Sequence, residues 1–160
     1  IRDGTSGFSV TGEVTVNGER ISRSFFLENA SYVPQEDRLW SALTVREHLM
    51  FACKTYGPSM PHAKCESRVD EVIASLGLES CQHTKIGSVF LKGVSGGQKR
   101  RTSIGMELVV HRPVLFLDEP TSGLDAASAS EIMCLLRRLA SERGVVVITS
   151  VRFGAGRQKR

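Results

Sequence analysis

Apolar and polar positions alternate along "TGEVTVNGERIS", residues 11–22, around Val14 and Val16, and the run breaks at Asn17-Gly18. A period of two interrupted by Asn-Gly predicts a β-hairpin, because the central residues of its tight turn take positive φ. "ASYV", 30–33, predicts a short strand that Pro34 stops, since proline has no N–H for a ladder. From Thr44 the period lengthens to that of a helix. Thr44 and Glu47 have capping-box spacing, and Val45, Leu49, Cys53 and Tyr56 share one face until Gly57-Pro58. Residues 62–76 predict a second helix, with Val69, Val72, Ile73 and Leu76 as its apolar stripe and Gly77 as its stop. A third follows "GVSGGQ" and runs to about His111, with Pro113 beyond it.

"VLFL", 114–117, is too short and too evenly apolar for an amphipathic helix, and predicts a strand buried on both faces. A long helix over 126–143 carries Ile132, Leu135, Leu136 and Leu139 and ends at Gly144, and "VVVIT", 145–149, predicts another buried strand. Strand, helix and strand in this rhythm give an α/β fold with a parallel sheet, the helical pair at 44–76 being inserted in it.

Composition narrows the class. At 160 residues, 41% hydrophobic and 24% charged, the chain fits one globular domain rather than a disordered segment. No stretch has the apolar length of a membrane helix. "IRDGTSGFSV" has the features of neither a signal nor a transit peptide and no initiating Met, which leads us to expect a start inside a longer protein. Cys53, Cys65, Cys81 and Cys134 form no CxxC pair, which argues against a zinc site or a disulfide framework and for a reducing, cytosolic setting. The net charge of +4 is carried by the tail: without Arg152, Arg157, Lys159 and Arg160, 17 basic residues face 17 acidic ones. A nucleic-acid partner is therefore not expected, and Lys99-Arg100-Arg101 reads as a solvated helix face or a phosphate-side feature.

Four short segments carry chemistry. Asp118 and Glu119 end the apolar run "VLFL", and an unpaired carboxylate there is costly unless it has a partner such as a metal ion. In P-loop NTPases the acid closing such a strand holds the nucleotide's magnesium, which would leave Glu119 to polarise an attacking water; a helix N-cap or a turn acid fits the pair alone equally well. In "VSGGQ", 94–98, Ser95 can cap the next helix, and Gly96 and Gly97 let backbone N–H groups approach an anion; an ordinary capped helix also fits. Gln35 follows a strand and could reach Mg²⁺ or water, or be plain polar surface. In "SGLD", 122–125, Asp125 most simply caps the following helix.

In this order and spacing the four segments resemble the nucleotide-binding domain of ABC ATPases, most closely that of the G subfamily of half-transporters. Gln35 matches the Q-loop, "VSGGQ" the signature, "VLFLD" Walker B, Glu119 the catalytic glutamate and "SGLD" the D-loop; "LTVREHL" and "GVSGGQKRRTSIGMELV" also look like that subfamily. The resemblance covers residues 10 to about 150. It implies a P-loop NTPase-like α/β domain over 1–151 with a helical subdomain at about 44–111. It implies ATP and Mg²⁺ as ligands, with Asp118 and Gln35 toward the metal, Glu119 catalytic, and Gln35, Ser95, Gly96, Gly97, Gln98 and Asp125 toward nucleotide. The partners it implies are a second such domain, paired head to tail, and a transmembrane domain outside this chain. The setting it implies is the cytosolic face of a membrane across which a lipid or small molecule is moved.

Two departures stand out. No G-x-x-x-x-G-K-[ST] occurs in the 160 residues, and Arg152 stands where the family has a switch His, which Arg cannot replace as an acceptor. Residues 152–160 form a basic tail unlike the family. We therefore expect a domain incomplete at both ends and inactive by itself, with Val114, Leu115, Phe116 and Val147 partly uncovered. A soluble ABC protein acting on ribosomes or nucleic acid, and a non-catalytic truncated product, are the alternative readings.

Overall fold

The computed structural model describes residues 12–151. Arg152 and the basic tail lie outside them. The hairpin forms as expected, with β1 (Thr15–Val16) antiparallel to β2 (Glu19–Arg20), and with φ of 52° at Asn17 and 84° at Gly18. A short helix α1 (Arg23–Asn29) follows, capped by Ser22 Oγ, which accepts the Phe25 N–H at 3.1 Å. Its apolar residues Phe25, Phe26 and Leu27 are consecutive, so no helical period marks it in the sequence.

Three parallel strands make the main sheet, in the order β3 (Ala30–Val33), β4 (Val114–Leu117) and β5 (Val146–Thr149). The register aligns Val33 with Leu117 and Leu117 with Thr149, so the chain leaves all three strands at one edge. Between β3 and β4 lie α2 (Val45–Tyr56), α3 (His62–Leu76) and α4 (Gly96–Leu108); α5 (Ala126–Arg143) joins β4 to β5. Both halves of the Thr44/Glu47 capping box form, the Glu47 N–H donating to Thr44 Oγ1 at 3.2 Å and the Thr44 N–H to Glu47 Oε2 at 2.7 Å. Gly77 and Gly144 end α3 and α5 with φ of 62° and 63°, the left-handed values glycine takes freely.

Helices α2, α3 and α4 pack on one another around Leu49, Val72, Leu76 and Ile104, all buried. Gly105 permits the approach: a Cβ there would lie 2.8 Å from both Leu49 Cδ2 and Leu76 Cδ1. Gly105→Val is expected to destabilise the chain by about 1–3 kcal/mol, because overpacking outweighs the gain in helix propensity. Urea unfolding measures this, and a midpoint equal to or above that of the parent would remove the packing argument.

Several expectations need correction. The strands are half-buried rather than buried on both faces. Leu115, 1% exposed, and Leu117 face the core with Val33, whereas Val114 and Phe116 are partly covered, and Val146 and Ile148 are 55% and 46% exposed. Helices α4 and α5 cover one face only, while on the other Phe116 meets the Phe26 ring of α1 at 5.2 Å. The open apolar positions are thus Tyr32, Val146 and Ile148, not Leu115, because side chains two apart share a face. Helix α4 stops at Leu108, short of His111, whose φ of 65° turns the chain ahead of Pro113. Tyr56 is exposed, so the stripe of α2 ends at Cys53. Cys53 of α2 and Cys65 of α3, twelve residues apart, meet with sulfurs 3.2 Å apart as free thiols; burial pushes the Cys53 thiol up to about 11. Among the described residues, no helix is long and apolar enough to cross a membrane.

Candidate functional site

The edge where β3, β4 and β5 end brings together Gln35, Asp118, Glu119 and Ser150. Strand pairing continues one step beyond the strands, with the Asp118 N–H donating to Val33 O and the Ser150 N–H to Leu117 O, each at 3.0 Å. Both oxygens of Asp118 receive a hydroxyl: Tyr32 Oη donates to Oδ2 at 3.1 Å and Ser150 Oγ to Oδ1 at 2.6 Å. Desolvation, and then the bond to Asp118, push the Tyr32 phenol above its ordinary pKa. Ser150 Oγ also accepts the Glu119 N–H at 2.9 Å, so one hydroxyl fixes both acids.

Glu119 has a φ of 40°, a left-handed conformation that a non-glycine residue adopts at a cost of roughly 1–3 kcal/mol and that gathers at functional sites. Pro120 follows, and the Ser122 N–H donates to Glu119 O at 3.0 Å to close the turn. The strained turn carries the Glu119 carboxylate to the Q-loop candidate. Gln35 Nε2 donates to Glu119 Oε2 at 2.9 Å and to Ser122 Oγ at 3.0 Å.

This donor set suits a hard cation. It offers one carboxylate at Asp118, a second beside it and an amide, all oxygen ligands of the kind Mg²⁺ takes. Among the described residues no group of three or more His, Cys, Asp or Glu could hold a metal. Mg²⁺ is commonly held by one or two carboxylates, with waters and substrate phosphates completing the shell.

The second candidate cluster begins α4. Ser95 Oγ accepts the Gln98 N–H at 3.2 Å, and Gln98 Oε1 accepts the Ser95 N–H at 2.8 Å, a complete capping box. Gln98 is therefore folded back on the cap. The two glycines differ in their surroundings. A Cβ on Gly96 would meet only Leu124 Cδ2 at 3.5 Å, whereas on Gly97 it would press Ser128 Oγ at 3.2 Å. Asp125 caps α5, accepting from the Ser128 N–H at 2.9 Å and Ser128 Oγ at 2.8 Å, and the backbone bond from Ser128 holds its carboxyl below the usual range. The Gly97–Ser128 approach thus joins the start of α4 to the start of α5.

Sequence reasoning missed three residues here. Tyr32 and Ser150 flank Asp118 without any motif of their own; only the strand register, two side chains at strand ends beside an acid, could have suggested them. Of the two readings of Lys99-Arg100-Arg101, a solvated helix face or a phosphate-side feature, the solvated one is corrected for Arg100: the side chain is buried, 3% exposed, and faces the site's loops rather than water. Its place four residues before Ile104 and eight before Leu108, on the buried stripe of α4, carried the signal.

A model of the ABC transporter family matches residues 6–122. ABC transporter G family member 5 of Oryza sativa subsp. japonica is 46% identical over 143 residues, 88% of this chain and 18% of that protein. The broad substrate specificity ATP-binding cassette transporter ABCG2 of Bos taurus is 41% identical over 143 residues, 89% of this chain and 22% of that protein. The chain thus spans about a fifth of the length of these relatives. Among solved structures, cbiO1 from Clostridium perfringens, part of the ABC transporter complex cbiONQ, superposes with a TM-score of 0.73 at 30% identity, covering 89% of this chain and 57% of that one. The expected α/β architecture is accordingly that of an ABC ATPase domain. With fold, motifs and sequence in agreement, the chain belongs to the ABC transporter family, its relatives being of the G type.

Proposed function

We propose that residues 1–151, with a helical subdomain at about 44–111, act as nucleotide-binding-domain sequence of a G-type ABC transporter that spends ATP to move a lipid or small molecule across a membrane. The observation that carries the reading is the Gln35 amide set between Glu119 and Ser122, beside an Asp118 oriented by Tyr32 and Ser150. In this reading Asp118, with Gln35, takes the Mg²⁺ of MgATP, and Glu119 accepts the proton of the attacking water. When bound, the ion supplies charge neutralisation at the β- and γ-phosphates. Tyr32 and Ser150 keep the Asp118 carboxylate turned toward that position. Ser95, Gly96, Gly97 and Gln98 face the triphosphate bound to a second domain, whose D-loop matches Asp125 here, and the pair sits on the cytosolic side of a transmembrane domain. The 160 residues alone lack the phosphate-cradling loop and are inactive.

Gly96 provides the test, since a Cβ there would meet only Leu124 Cδ2, at 3.5 Å, and no atom of α5. In a chain extended with a phosphate-binding segment and made hydrolysis-deficient, MgATP is expected to drive pairing that light scattering detects. Gly96→Asp sets a carboxylate against the partner's γ-phosphate and should weaken that pairing at least about tenfold, as like charges at a shared site oppose closure. ATP-driven pairs that form equally well with the substitution would tell against the head-to-tail reading.

A further inference from the structure

Arg100 lies on α4, just over one turn past the Ser95 cap. Its guanidinium reaches four main-chain carbonyls and one carboxylate. Nε donates to Pro120 O at 3.1 Å and Nη2 to Asp118 O at 2.9 Å, on the turn that follows β4. Nη1 donates to Pro34 O at 2.6 Å, to Gln35 O at 3.2 Å and to Asp37 Oδ1 at 3.2 Å, on the segment that follows β3. A buried cation is costly, and an apolar side chain would fill the same space without that cost. What a planar fork of donors adds is geometry: it holds two loops at a fixed separation from a third element, which an ammonium does less well.

We propose that Arg100 is a positioning residue that keeps the Pro34–Gln35 segment, the Asp118–Pro120 turn and helix α4 in one register. Gln35 is thereby held against Glu119, and a displacement on the nucleotide side is passed to the helix whose first turn is Ser95–Gly97. The catalytic meaning of this link rests on the reading of Asp118, Glu119 and Gln35 as the magnesium–nucleotide site; the registration of the loops stands apart from it. Asp37 is the lesser partner, because four of the five bonds go to carbonyls that no side-chain substitution removes.

Amide exchange on the 160-residue chain at low concentration tests the register directly. Loss of a charged donor from several carbonyls is expected to speed exchange at the Trp40, Glu119 and Ser122 amides by at least about tenfold in R100Q, while the Val72 and Ile104 amides change far less. R100K, which keeps the charge, should recover part of that protection, and D37A should exchange like the parent at all five amides. Unchanged exchange at both loops in R100Q would overturn the proposal. So would uniform acceleration through α2 and α3 without relief in R100K, since Arg100 would then serve general stability alone. If R100Q does not fold, loosening of both loops in R100K but not in D37A supports the role, and equal behaviour of the two overturns it. A Mn²⁺ titration read by water-proton relaxation adds the link to the site: several-fold weaker binding in R100Q supports it, and equal affinity overturns it. Failure of the parent chain to bind Mn²⁺, or binding that survives Asp118→Asn, instead counts against the metal reading and leaves the exchange data to decide on Arg100.

Discussion

Glu119→Gln should slow ATP turnover by roughly 10²–10⁴-fold, the usual contribution of a general base. The setting is the chain extended with the phosphate-binding strand, loop and helix of a G-family relative and carrying Arg152→His. The substitution keeps shape and size, so the left-handed backbone at residue 119 and the turn closed by Ser122 should persist. The Gln35 N–H that now meets Glu119 Oε2 at 2.9 Å would still find an acceptor in the new amide oxygen. What disappears is the capacity to take a proton. Affinity for MgATP should therefore stay within a few-fold of the parent while kcat falls, the pattern of an interaction made only in the transition state. Single-turnover kinetics beside equilibrium nucleotide binding separates the two quantities. A kcat close to that of the parent would remove Glu119 from the base role and leave its strained turn without a functional account.

Much of this arrangement was legible in the residues because the relevant physics is local. Capping boxes at Thr44 and Ser95, the Asn17-Gly18 turn and the glycine stops at Gly77 and Gly144 each act within one turn of chain, and each appears where its signal lies. Helices α3 and α5 keep their expected bounds for the same reason. Failures came where the deciding partner is distant in sequence. Whether β4 and β5 are covered on one face or two depends on how many helices reach each side of the sheet, which an apolar run of four cannot express. Arg100 reads as one of three adjacent cations until the fold brings the carbonyls of Pro34, Asp118 and Pro120 around it. The candidate site divides along the same line. Gln35, Asp118 and Glu119 announce themselves by sitting just past strand ends, whereas Tyr32 and Ser150 acquire a role only through register.

The 160-residue chain alone should bind MgATP no more tightly than about 1 mM and should self-associate as its concentration rises. Three or more charge-assisted bonds from a phosphate-binding loop, at about 1.5–3 kcal/mol each, account for at least roughly three orders of magnitude in affinity. No G-x-x-x-x-G-K-[ST] in this sequence supplies them. Asp118 and Glu119 without those donors oppose a triphosphate rather than hold it. The same chain presents Tyr32, Val146 and Ile148 on the open face of its sheet, 57%, 55% and 46% exposed. Among the described residues β3 and β5 are also edge strands with unpaired backbone groups, so both face and edge invite another copy. Ile148→Lys puts a charge on that face, on the opposite side of the sheet from Leu115 and Leu117, and should shift sedimentation toward the monomer while leaving the helical content intact. Titration calorimetry with MgATP and sedimentation velocity over a concentration series give the two readings. Micromolar affinity in a concentration-independent monomer would mean that phosphate is held by groups other than a P-loop and that the open face is covered in solution.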